Sequence, residues 1–100
     1  MKGKITKDEF AKVIIQSLND ILGYDTAQAL IFHICIRKKF NKEEISNNLD
    51  KVLGCLEELF GWASETIFDD IIFKLNVNHG IRIKDKKELI DLAKEVVKSG

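Results

Sequence analysis

The chain has 100 residues and no proline, a length that supports one domain around a single core. Hydrophobic residues at 45% and charged residues at 32% match a folded globular chain and exclude a disordered one. The 16 Lys and Arg are balanced by 16 Asp and Glu for zero net charge, so the positive excess with which nucleic-acid binders neutralise phosphate is missing.

The N-terminal stretch MKGKITKDEF has no apolar leader region. No apolar run approaches the roughly 20 residues that span a bilayer. The expected location is therefore the cytoplasm, with no membrane contact. Thr6 and Glu9 have capping-box spacing, in which the hydroxyl and the carboxylate satisfy orphan N–H groups. A first helix follows over 7–22, with Phe10, Val13, Ile14, Leu18, Ile21 and Leu22 at helical spacing. Gly23 stops it, since only glycine takes positive φ without cost.

A second helix is predicted over 26–39, capped by Asp25 with Gln28. It is apolar almost all round, through Ala27, Ala29, Leu30, Ile31, Phe32, Ile34, Cys35 and Ile36, and a helix without a polar face is a buried one. Arg37, Lys38 and Lys39 close it, where cations suit the negative end of the dipole; a phosphate site is the alternative reading of this basic run. Asn41 and Glu44 make a second capping box, flanked by Phe40 and Ile45 at staple positions, so a short third helix is predicted over 42–46. A fourth covers 49–60, with Val52, Leu53, Leu56 and Leu59 on one face, and Gly61 ends it. A fifth covers 63–76, with Ile67, Phe68, Ile71, Ile72 and Leu75 inward. Ile81–Ile83 reads as an extended link. Asp85 and Glu88 cap a sixth helix, with Leu89, Ile90, Leu92, Ala93, Val96 and Val97 inward.

The turn residues repeat. Leu18, Ile21, Leu22, Gly23 and Tyr24 align without a gap on Leu56, Leu59, Phe60, Gly61 and Trp62, and Ala29, Leu30 and Ile34 fall on Ile67, Phe68 and Ile72. Two readings stand: an internal pseudo-repeat of αα-hairpins, or helical hairpins that reuse one stop signal. In either, the aromatic after each glycine is expected to fold back onto the helix it leaves. The fold expected is an all-α single domain, 1–100, of five to six short helices built from αα-hairpins, with the second and fifth helices central.

The stretches LGYDTAQALIFHI at 22–34, FNKEEISNNLDKVLGCLEELFGWASETIFDDIIFKL at 40–75 and GIRIKDKKELIDLAKEV at 80–96 resemble the small archaeal all-helical domains of unknown function, some of which occur as presumed output domains of signalling chains. LEELFGWA is the sharpest part; the rest is helical patterning that many proteins share. The resemblance implies an all-α fold, an archaeal cytosolic setting and a signalling or partner-binding role. It carries no reaction onto any residue.

No catalytic, cofactor-binding or metal-ligating set is legible. Cys35 and Cys55 are far apart in sequence, and His33 and Cys35 lie two apart on a helix, unlike the close ligand pairs of zinc sites. The two cysteines read as core residues, with a disulfide or redox pair as the alternative. Glu65, Asp69 and Asp70 read as a solvated face. Gly-rich phosphate loops and nucleophile elbows are missing, so no enzyme is expected. The run from Ala29 to Phe60 has the outline of a helix-turn-helix, yet its would-be recognition helix sets Asp50, Glu57 and Glu58 against Lys51 alone, which repels phosphate.

Trp62, Thr66, Phe73 and Val77 form a second stripe on the fifth helix, off the Ile67, Ile71 and Leu75 face. Ala29, Phe32 and Ile36 add a similar strip on the second. Each strip is either core of a helix covered from both sides or an exposed patch that binds a partner. The favoured function is a non-enzymatic protein–protein interaction or signalling output module, with a protein or a second copy of itself as partner. The alternatives are a degenerate helix-turn-helix regulator and a small-ligand sensor with a pocket between the second and fifth helices.

Overall fold

Residues 5–99 are described by a computed structural model; residues 1–4 of the stretch read for a leader lie outside them. Among these residues the chain forms α1 (Lys7–Leu22), α2 (Tyr24–Lys38), a 3-10 turn (Lys42–Asn47), α3 (Leu49–Phe60), a second 3-10 turn (Gly61–Ala63), α4 (Ser64–His79) and α5 (Lys86–Ser99), with no strand. The all-α class and the helical hairpins are as expected. Among the described residues, no helix is long and apolar enough to cross a membrane.

Polar caps start α1, the first 3-10 turn and α5, and α3 and α4 start without a side-chain cap. The Glu9 N–H donates to Thr6 Oγ1 at 3.1 Å and the Thr6 N–H donates to Glu9 Oε1 at 2.9 Å. Ahead of the first 3-10 turn, the Asn41 N–H donates to Glu44 Oε1 at 2.7 Å, while the Asn41 carbonyl accepts the Glu44 N–H at 2.8 Å. At α5 the Glu88 N–H donates to Asp85 Oδ1 at 3.0 Å, and Glu88 in turn accepts from the Lys84 N–H. α2 is different. It begins at Tyr24, directly after Gly23, with no side-chain cap, so the predicted Asp25–Gln28 cap is not formed.

The reason is the conformation of the glycine. Gly23 has φ 88° and ψ 155°, and Gly61 has φ 55° and ψ −132°. These regions are open essentially to glycine alone, and each reverses the chain in one residue. A Cβ at either position would meet nothing within 4 Å, so the requirement is backbone strain and not space.

The two hairpins then diverge. The 3-10 turn Gly61–Ala63 places two residues, Trp62 and Ala63, between its glycine and α4 that α2 lacks. Without a gap, buried Ala27 and Ile31 would fall on exposed Glu65 and Asp69. Displaced by those two residues, Ala27, Ile31 and Cys35 fall on Ile67, Ile71 and Leu75, all buried. The ungapped repeat holds for α1 against α3 and through the glycine, and fails beyond it.

The core gathers Phe10, Ile14 and Leu18 of α1, Leu53 and Leu56 of α3, Phe68, Ile71 and Leu75 of α4, and Leu89 of α5. Each such side chain contributes about 1.5–3 kcal/mol by leaving water. α1 and α3 each pack against every other helix. The expected centrality of the second and fifth helices needs correcting. α2 lies at the edge, packed on α1, α3 and the first 3-10 turn, and it buries only Ala27, Ile31, Ile34 and Cys35. The fifth predicted segment is now α4, because the short third one forms a 3-10 turn. It runs three residues further than predicted, to His79, and lines the core on one face only. Beyond Gly80, Ile81 and Ile83 are buried and Arg82 is exposed. Asn76 holds this link: Oδ1 accepts the Ile83 N–H at 3.2 Å and Nδ2 donates to the Ile83 carbonyl at 3.3 Å.

Candidate protein interface

The second stripe of α4 faces solvent. Trp62 is 88% exposed, Phe73 63% and Val77 62%, and Thr66 is exposed with them. Trp62 sits in the 3-10 turn that starts the helix; Thr66, Phe73 and Val77 follow at intervals near two and one turns of α4. The opposite face of the same helix, from Ile67 to Leu75, is buried. This arrangement settles where the stripe lies: it is surface, and the core is complete without it.

Its border is acidic. Glu65 and Asp69 are exposed beside the stripe, and among the described residues neither has an ion-pair partner. Lys74 lies on the other flank, held by Asp20 Oδ2 at 2.9 Å and by Asp70 one turn back. Burial pulls the Lys74 ammonium down, and the hydrogen bonds to Asp70 and Asp20 raise it by more, for a net rise. Asp20 is lowered by its bonds from Lys74 and Gln16. The stripe is thus apolar, bounded on one side by free carboxylates and on the other by a satisfied cation.

The strip on α2 is also exposed, with Phe32 at 68% and Ile36 at 61%, and Ala29 and His33 beside them. A groove of about 620 Å³ runs along α2 against the first 3-10 turn, walled by Ile31, Phe32, Cys35, Ile36 and Phe40 and rimmed by Lys42 and Glu43 among others. No residue of α4 lines it, which differs from the pocket expected between the second and fifth helices. Sequence reasoning did not find this groove; the staple pair Phe40 and Ile45, which brings the 3-10 turn back under α2, was the available signal. Nor does either turn aromatic fold back on its helix. Tyr24 is 66% exposed and Trp62 more so, because the glycines alone make the reversal.

No family model, curated protein or solved structure matches the chain.

Among the described residues, no cluster of three or more His, Cys, Asp or Glu side chains is placed to hold a metal ion. His33 is exposed while Cys35 is buried. Both thiols are free and both are pushed up by burial, away from the thiolate that redox or nucleophilic chemistry needs. Glu65 and Asp69 are solvated, and Asp70 is bonded to Lys74, so none of the three carboxylates is placed for proton transfer. Two acids of α3 are occupied: Glu58 by Arg37 at 3.7 Å and Lys38 at 3.4 Å, and Glu57 by Lys86. A single residue, Asn48, separates the 3-10 turn from α3, short of the turn that precedes a recognition helix.

Proposed function

We propose that the chain is a non-enzymatic protein-interaction module that binds a partner protein through Trp62, Thr66, Phe73 and Val77. The observation that carries this reading is the exposure of three large apolar side chains in one line on a domain whose core needs none of them. Large apolar side chains exposed together on one face mark an interaction site, and Trp and Phe are enriched in the buried centres of interfaces. Glu65 and Asp69 border the stripe. Two copies paired through this face would bring carboxylates together, so the fitting partner is a different protein, with an apolar ridge and a basic group set against Asp69. The resemblance to archaeal helical domains supports a place in cytosolic signalling, as an output module.

The test compares retention of proteins from an extract of the source cells on immobilised wild type and on Phe73→Glu. The reading requires at least one protein held by the wild type and released by the variant, with the variant as helical as the wild type. Equal retention by both, or a variant that fails to fold, overturns it. A mobility shift of any DNA duplex at low salt would instead favour the helix-turn-helix reading, since phosphate binding is strongest there.

A further inference from the structure

The strip on α2 has features that the α4 stripe lacks. Asp25, Ala29, Phe32 and Ile36 follow one another on α2 at steps of four, three and four residues, and Lys39, the left-handed C-cap at φ 62°, comes three residues later, just past the last helical position. That is a period of 3.5, the spacing of the seam along which two helices pack knobs into holes. All five residues are exposed. The seam is also charged at its ends with opposite signs: Asp25 in the first turn and Lys39 at the C-cap. Among the described residues, neither has an ion-pair partner, whereas the neighbouring Arg37 and Lys38 are both taken by Glu58.

Phe32 lies seven residues from both Asp25 and Lys39, about 10 Å along the axis from Asp25, with Lys39 at the opposite end of the helix. A two-fold axis through Phe32 therefore makes the seam complementary to itself. Turned end for end, Asp25 of one copy meets Lys39 of the other, twice over. Ala29 meets Ile36, a small residue against a large one. The two helix dipoles run antiparallel, which is the favourable sense. A parallel pairing would instead set Asp25 on Asp25 and Lys39 on Lys39.

We propose that α2 is the contact of an antiparallel homodimer, formed by a second copy of this chain on the seam from Asp25 to Lys39. The groove beside it enlarges the contact, offering Ile31, Cys35 and Phe40 as an apolar wall next to Phe32. The dimer formed this way has one contact, the α2 seam with the groove beside it. Its two α4 stripes remain uncovered. The dimer and the α4 site are separate surfaces, and either stands without the other.

The test is solution mass by light scattering over a concentration series, at low salt, with helicity checked for every variant by circular dichroism. The wild type should rise from the 11.4 kDa chain towards twice that mass. Phe32→Glu should stay a folded monomer, and Phe73→Glu should behave as the wild type. Because each end contact occurs twice in the dimer, Asp25→Lys should weaken association by about tenfold or more, and Asp25→Lys with Lys39→Glu should restore most of it. A wild type that stays monomeric throughout overturns the proposal. So does a dimer lost in Phe73→Glu instead of Phe32→Glu, and so does association left unchanged by Asp25→Lys, as a parallel pairing predicts, since like charges would face each other there before and after the change.

Discussion

Two phenylalanines five residues apart on α4 should respond to truncation in opposite ways. Phe68 is 1% exposed and Phe73 is 63% exposed. Phe68→Ala removes a fully buried ring and leaves a cavity, at a cost of about 3–5 kcal/mol. Phe73→Ala gives up only the buried third or so of a side chain worth about 1.5–3 kcal/mol when fully buried, hence about 0.5–1 kcal/mol. The gain of about 0.5 kcal/mol in helix propensity from an exposed Phe to Ala offsets much of that. The net change at Phe73 is within about 0.5 kcal/mol. For a chain of this size 1 kcal/mol moves Tm by roughly 4–8 °C, so thermal unfolding followed by circular dichroism separates the two variants by more than about 10 °C. If Phe73→Ala lowered Tm as far as Phe68→Ala does, the α4 stripe would be core, and the interface built on it would fall.

Three further outcomes follow from particular side chains. Ser17 is fully buried in α1 and its hydroxyl has no hydrogen-bond partner, which costs about 1–3 kcal/mol; Ser17→Ala should raise stability by about 1 kcal/mol in urea titration, and a loss of that size would show that the hydroxyl is bonded. Cys35 and Cys55 are both buried and their thiols pushed up, so a thiol reagent at pH 8 should label neither quickly in the native chain and both after denaturation, with Cys35 the faster because it walls the groove; rapid native labelling of Cys55 would contradict its burial. Stability should be flat from about pH 5 to pH 9. Glu9 is lowered by its bond from the Thr6 backbone, and Asp20 by its bond from Lys74, so the stability they give is present above their ordinary values of 4.5 and 3.8 and is lost on acidification below them. The raised thiols lose theirs as pH climbs past the ordinary 9.0. Lys86, raised by its bond to Glu57, and Lys74 follow above 10.5. A stability maximum displaced well outside that window in urea titrations would contradict the assignment.

The capped ends and the inward faces were legible because they depend on neighbours in sequence. Thr6 with Glu9 and Asp85 with Glu88 sit where their residue types and spacing place them. The inward residues Ile67, Phe68, Ile71, Ile72 and Leu75 of α4 follow from helical period alone. The start of α2 was hidden because Gly23 adopts a conformation from which a helix begins at once, so no capping residue is needed. The 3-10 turn at Gly61–Ala63 was hidden because nothing in GWA distinguishes it from a direct entry into α4, yet its two extra residues shift the buried face by a little over half a turn relative to α2. The apolar girth of α2 was visible and its burial was not: a hydrophobic face states that it prefers cover, not which chain supplies the cover. That is also why Phe32 and Ile36 could be singled out early and located only in three dimensions.

The protein supplies its own reporter for the central claim. Trp62 is the single tryptophan of the chain and the most exposed large apolar side chain in the structure, at the head of the α4 stripe. The measurement is its fluorescence emission and quenching by acrylamide, in the isolated chain across a concentration series and in complex with a protein retained by the wild type and lost by Phe73→Glu. Emission typical of water and full quenching at every concentration of the isolated chain, followed by a blue shift and protection in the complex, is the predicted result. A protected Trp62 in the isolated monomer, or one left unchanged by the partner, would contradict it.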